Sequence, residues 1–97
     1  MSAYMIFVRS KMNDQEKYSD YLQKGAPLVK KYGGEILVLN GAHESLEGQV
    51  IDGTVVLKFP DMAAARSFYN SEEYSLVKSL RLSATEGLAV LVDGFPG

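Results

Sequence analysis

The sequence predicts an α+β sandwich built as strand, helix, strand, strand, helix, strand, with a four-stranded antiparallel sheet carrying its helices on one face. Three observations lead there. Short β-branched and aromatic runs alternate with amphipathic helical stretches in that order. The runs are apolar at both parities, so each sheet face needs a cover. With 97 residues, 46% of them hydrophobic and 23% charged, the chain fits one domain spanning residues 1–97 and not two independent cores.

Tyr4 to Val8 reads as the first strand, ended by the polar Arg9, Ser10 and Lys11. Asn13 stands where a helix N-cap belongs, with Glu16 placed to reach back and Asp14 suited to the positive end of the helix dipole. Tyr18, Tyr21, Leu22, Gly25, Ala26, Val29 and Tyr32 then recur at spacings of three and four and trace one apolar face. Pro27 lacks an N–H and clashes with the preceding turn, so a kink or a helix restart is expected there. The pair Gly33-Gly34 ends the helix.

Glu35 to Asn40 is the second strand, and Gly41 to Gln49 is a polar connector holding the lone histidine, His43. Thr54 to Phe59 is the third strand. Asp61 is placed to cap a helix from Met62 to Tyr69, and Ser71 to cap the next, with Glu72 and Glu73 in its first turn. Leu88 to Val92 is the last strand.

This order is the split βαβ pattern of ferredoxin-like domains, and right-handed crossovers put both helical segments on one side of the sheet. The opposite face would then expose more apolar surface than the few hundred Å² a soluble monomer tolerates. A second copy of the chain is the simplest cover, so a homodimer is expected, with two sheets packed face to face around a core or a cavity.

Composition excludes several classes. A net charge of −2 and a pI near 5.3 offer nucleic acid no cationic footprint. No segment approaches the roughly 20 apolar residues of a membrane span. Absence of cysteine excludes disulfides and thiolate chemistry, and the start of the chain reads as a strand and not a secretory leader, so a soluble cytoplasmic protein is expected. No GxSxG, P-loop or dinucleotide fingerprint occurs.

Pro27, Gly33-Gly34, the Glu44-Ser45-Leu46-Glu47-Gly48 connector, Phe59-Pro60, Ala63-Ala64-Ala65, Phe68-Tyr69, Ser71, Glu73-Tyr74 and Arg81 fall in one familiar order. On these the chain resembles the small bacterial domain-of-unknown-function family numbered 1330, within the dimeric α+β barrel superfamily. Its most specific piece is aromatic-x-Ser-x-Glu-Tyr followed seven residues later by Arg, here Tyr69, Ser71, Glu73, Tyr74 and Arg81. The chain departs from many members at Glu72, where they carry proline, and at Gln49-Val50, where they carry an aromatic. The resemblance implies a ferredoxin-like dimer and no fixed reaction. Superfamily relatives include cofactor-free oxygenases of aromatic compounds, haem-degrading oxygenases and muconolactone-isomerase-like enzymes, which is analogy at the level of fold.

Five side chains are the candidates for a site. His43, with Glu44 and Glu47 nearby, has the residue types of an acid–base pair or a single metal or haem ligand, against the reading of an ordinary exposed histidine. Arg9 and Lys58 end or interrupt apolar strands. Lys58 shares the dimer-facing side with Val56 and Thr54, as an anion anchor or as half of an ion pair at the sheet edge. Tyr74 and Arg81 lie two helical turns apart on one face. Arg81 suits a carboxylate ligand, or an acid such as Glu73, Glu86 or Asp93.

Two functions fit. One is a small-molecule protein, an oxygenase or isomerase acting without a cofactor on an aromatic or enolisable compound, with Arg9, His43 and Lys58 in catalysis and Tyr74 and Arg81 on the ligand. The other is a non-catalytic dimeric module that binds a metabolite or a protein. Neither calls for a metal or cofactor. A cavity of at least about 300 Å³ reached by two or more of these side chains would favour the first.

Overall fold

A computed structural model describes residues 1–96. The elements are β1 (Ala3–Met12), α1 (Gln15–Lys31), β2 (Glu35–Leu39), β3 (Gly53–Phe59), α2 (Met62–Tyr69), α3 (Glu72–Ala84) and β4 (Thr85–Asp93). The strands form one sheet in the order β2-β3-β1-β4 with every neighbouring pair antiparallel. This is the ferredoxin-like βαββαβ sandwich.

The first and last strands, β1 and β4, run longer than their apolar cores. Polar Arg9, Ser10 and Lys11 do not end β1, because β4 continues beside them, Lys11 opposite Glu86 and Met12 opposite Thr85. A register shift between Arg9 and Lys11 absorbs the extra residue. The N-cap of α1 is Asp14, not Asn13. Asp14 accepts a 3.0 Å hydrogen bond from the Lys17 N–H, while Asn13 donates from its side chain to Glu86 at 3.1 Å. The backbone N–H groups of both residues converge on the Ala84 carbonyl, at 2.7 and 3.1 Å. That contact from α3 fixes where the helix begins.

Pro27 does not divide α1, which runs unbroken from Gln15 to Lys31. Only the rung from residue 27 to the Gln23 carbonyl is necessarily missing. Gly33, at φ +84, then turns the chain out of the helix. Asp61 caps α2 through the Ala64 N–H at 2.8 Å. Ser71 links the two later helices: its hydroxyl donates to the Phe68 carbonyl at 2.8 Å and accepts from the Tyr74 N–H at 3.1 Å.

Alternation along the central strands sorts the two faces. Ala3, Met5, Phe7, Leu57 and Phe59 point at the helices and are buried with Tyr18, Tyr21, Val29, Ala65, Phe68, Tyr74 and Ala84. Aromatic contacts run through this core, from Phe59 to Phe68 (centroids 5.3 Å apart), Phe68 to Tyr74 (4.4 Å) and Tyr74 to Tyr21 (6.3 Å).

The other face is uncovered. Ile6 lies between Val56 and Val90 in register, and Tyr4 between Lys58 and Val92. Leu88, Val90 and Val92 are each about half exposed, at 56%, 47% and 46%. The molecule is a slab of 33 × 32 × 17 Å. Its 6065 Å² of surface exceeds the roughly 5500 Å² expected of a compact monomer of its mass. Among the described residues, no helix is long and apolar enough to cross a membrane.

Candidate functional site

The helix side of the sheet holds a pocket walled by α1, α3 and the sheet. Leu22, Gly25, Ala26 and Val29 come from α1, Tyr74 and Arg81 from α3, and Phe7, Ile36, Leu39, Val55 and Leu57 from the strands. Ile36 and Leu39 both reach it because a register shift in β2 lies between them. The spacing of seven that joined Tyr74 to Arg81 in the sequence brings both to this pocket.

Tyr21, from the apolar stripe of α1, faces Tyr74 across the pocket with the two hydroxyl oxygens 2.7 Å apart. Burial pushes the Tyr21 hydroxyl far above the usual phenol range, with Tyr74 adding to the effect. Burial raises Tyr74 as well, opposed in part by the Tyr21 hydrogen bond and the Arg81 charge. Both side chains therefore stay neutral and act as hydrogen-bonding groups, not as bases.

Arg81 lies over the Phe7 ring at 4.9 Å, and its Nε is buried with no hydrogen-bond partner. Burial works against its charge, but the nearby Tyr74 and Tyr21 outweigh that and raise its pKa, so the guanidinium stays charged. The acids that the sequence offered it are engaged elsewhere. Glu73 binds Lys31 through both oxygens, at 2.8 and 2.9 Å, and accepts from the Tyr32 hydroxyl at 3.0 Å. Glu86 accepts from Asn13, and Asp93 accepts from the Gly94 N–H. None of these three residues pairs with Arg81.

A second, adjoining pocket shares Phe7, Tyr18, Val55 and Arg81 with the first and opens among Arg9, Glu86, Gly87 and Leu88. Arg9 is committed at its edge. Its guanidinium donates to the Asp52 carboxylate (2.8 Å), the Asp52 carbonyl (3.1 Å) and the Asn40 side-chain oxygen (3.0 Å), and stacks 4.9 Å above Tyr18. Asn40 in turn donates to the Tyr18 hydroxyl at 3.0 Å. Arg9 lies opposite Gly53 in β3, where a Cβ would collide with its guanidinium. These contacts hold the connector and one wall of the pockets in place.

His43 and Lys58 lie elsewhere. His43 is exposed in the connector, its Nε2 3.1 Å from the Ile51 carbonyl, and it belongs to the wall of neither pocket. Among the described residues, no cluster of three His, Cys, Asp or Glu side chains could hold a metal ion. Lys58 projects from the open sheet face, between Tyr4 and Glu35 in register. The pocket within the chain thus lies on the helix side, whereas the sequence placed a cavity between two sheets. It is reached by Tyr74 and Arg81, but its open volume of about 50 Å³, with about 60 Å³ in the second pocket, falls short of the size set for a ligand cavity.

Tyr21 and Tyr18 are the site residues that sequence reasoning assigned only to core. The one available signal was the residue type, tyrosine instead of phenylalanine at buried positions, since a buried hydroxyl needs a partner.

A four-stranded antiparallel sheet with helices on one side and a polar-tipped pocket between them defines a ferredoxin-like α+β protein. The chain belongs to the family described as a domain of unknown function, DUF1330, whose model matches residues 2–95. No curated protein matches it in sequence. Among solved structures it is similar to a protein of unknown function from Rhodopseudomonas palustris, with a TM-score of 0.75 at 17% identity over 99% of this chain and 84% of that one. It is also similar to SnoaB, a cofactor-independent oxygenase from Streptomyces nogalater, with a TM-score of 0.66 at 9% identity over 99% and 95% of the two chains. A dimeric protein of unknown function and ferredoxin-like fold from Bacteroides fragilis aligns at a TM-score of 0.59 and 12% identity, over 96% of each chain. At these identities the likeness is one of fold.

Proposed function

We propose that the protein binds a small organic molecule, aromatic or enolisable, in the helix-side pocket and acts on it as an oxygenase or isomerase that needs no cofactor. The observation that carries this reading is Arg81, the one charged group on the wall of a pocket otherwise made of apolar side chains and tyrosines, with a buried Nε that no protein atom satisfies. A buried donor left unpaired costs about 1–3 kcal/mol, so such a group is kept where something else meets it. The fold shared with a cofactor-independent oxygenase agrees with the reading at the level of analogy. In this proposal residues 1–97 form one domain, the working compartment is the cytoplasm, and the functional unit is a homodimer joined through the open sheet face. Support for the dimer comes from the apolar register around Ile6 and from a dimeric neighbour of the same fold.

The second reading is a binding module without catalysis. The small open volume of the pocket, about 50 Å³, favours it, as do the raised pKa values of Tyr21 and Tyr74, because they leave the pocket without a side chain ready to take a proton.

Methyl-resolved NMR against a panel of small aromatic and 1,3-dicarbonyl compounds, followed by an oxygen electrode, separates the outcomes. Saturable shifts at Leu22, Val29 and Leu57 establish binding in the pocket, and oxygen uptake or product with the same compound establishes catalysis. Shifts confined to other surfaces would overturn the assignment of the site.

A further inference from the structure

The hydrogen-bonding capacity of the pocket wall specifies the charge of its guest. The Tyr21 and Tyr74 hydroxyls share one hydrogen bond, and whichever of them donates, the other keeps one O–H uncommitted. Arg81 adds an uncommitted Nε–H that carries part of a positive charge. No carboxylate lines the pocket. The wall therefore offers spare donors, the guanidinium among them cationic, and no ionised acceptor. A guest made only of donors, or a cation, would meet no complement there. Apart from the Tyr18 hydroxyl, which accepts from Asn40, the groups around these donors are apolar, among them Leu22, Val29, Ile36, Leu39 and Leu57.

We infer that the guest is a small singly charged oxyanion on an apolar body, its oxygen met by the Arg81 guanidinium and the tyrosine pair. Carboxylates, phenolates and enolates share this chemistry. One charge is specified because Arg81 is the lone Lys, Arg or His on the wall of the first pocket, and Arg9 in the adjoining one is already paired with Asp52. A second negative charge would be buried without a partner, at a cost its Coulomb attraction to Arg81 would not recover. This inference rests on the pocket reading above, and its test is chosen so that the two fail separately.

Four probes suffice: benzoate and its neutral isostere benzamide, and 4-nitrophenolate with its neutral methyl ether, 4-nitroanisole. Each is titrated at mildly alkaline pH while the methyls of Leu22, Val29 and Leu57 are followed by NMR. The expected result is that one or both anions bind about tenfold or more tightly than their neutral partners, the size of one charge-assisted hydrogen bond. The tighter anion then shows whether the natural source is a carboxylate or a phenolate-like oxygen. Arg81→Leu should abolish the preference, and Arg81→Lys, which keeps the charge if the leucine variant fails to fold, should retain part of it. Equal binding of anion and neutral partner at the same methyls overturns the charge assignment and leaves the pocket standing. Absence of shifts at these methyls with all four probes at low millimolar concentration overturns both.

Discussion

The hydroxyls of Tyr21 and Tyr74, 53 residues apart in the chain, meet at 2.7 Å in a buried position between α1 and α3. The Tyr74 hydroxyl also lies beside the Arg81 guanidinium. Replacing one by phenylalanine strands a buried hydroxyl and should cost about 1–3 kcal/mol, whereas removing both leaves nothing unpaired and should cost less than the sum. Urea denaturation of Tyr21→Phe, Tyr74→Phe and the double variant measures the coupling. Additive losses would show that the two hydroxyls do not depend on each other.

The same pair sets an alkaline limit. In the folded state burial raises both hydroxyls above the value of about 10 they take when unfolded. Above that pH the unfolded chain binds fewer protons than the folded one, so stability falls as pH rises. Below it both states are protonated and the pair contributes no pH dependence. Thermal melts from neutral to strongly alkaline pH should show a decline that is shallower in the double phenylalanine variant. An equally steep decline in that variant would assign the loss to other groups.

Asn40 carries three requirements at once. Its backbone sits at φ 53, its side-chain oxygen accepts from Arg9, and its side-chain nitrogen donates to Tyr18. Asn40→Gly should cost about 1 kcal/mol for the lost bridge, and Asn40→Ala roughly another 1 kcal/mol for the left-handed backbone. Limited proteolysis should show the connector cut faster in both variants. Equal stability of the glycine and alanine variants would mean that the backbone strain is relieved in solution.

Light scattering at micromolar concentration should report a dimer. Ile6→Glu places a charge between Val56 and Val90 on the open face and should yield a monomer with the fold intact by circular dichroism. A monomeric parent protein would remove the proposed interface.

Element order was readable because each signal was local: the tyrosine and leucine stripe of α1, Asp61 and Ser71 as caps, Gly33 as terminator. Misreadings arose where a distant contact decided the outcome. Asn13 and Asp14 are both good caps, and the choice falls to Asp14 where the Ala84 carbonyl gathers the N–H groups of both. Arg9, Ser10 and Lys11 look like the end of a strand until β4 lies alongside. Within the site, the spacing of Tyr74 and Arg81 was legible because both ride on one helix. Tyr21 was not, because nothing near it in sequence reveals the hydroxyl that meets it. Arg9 showed in the sequence as an interruption of an apolar run, but its commitment to Asp52 and Asn40 depends on how the connector returns to β3.

Pro27 gives the pocket one soft wall. Leu22, Gly25, Ala26 and Val29, which line it from α1, bracket the proline whose missing N–H leaves the helix a rung short. The opposite wall is sheet, cross-braced strand by strand. A helix bends at its weakest rung, so a guest larger than the resting space would gain room where α1 bows outward about Pro27.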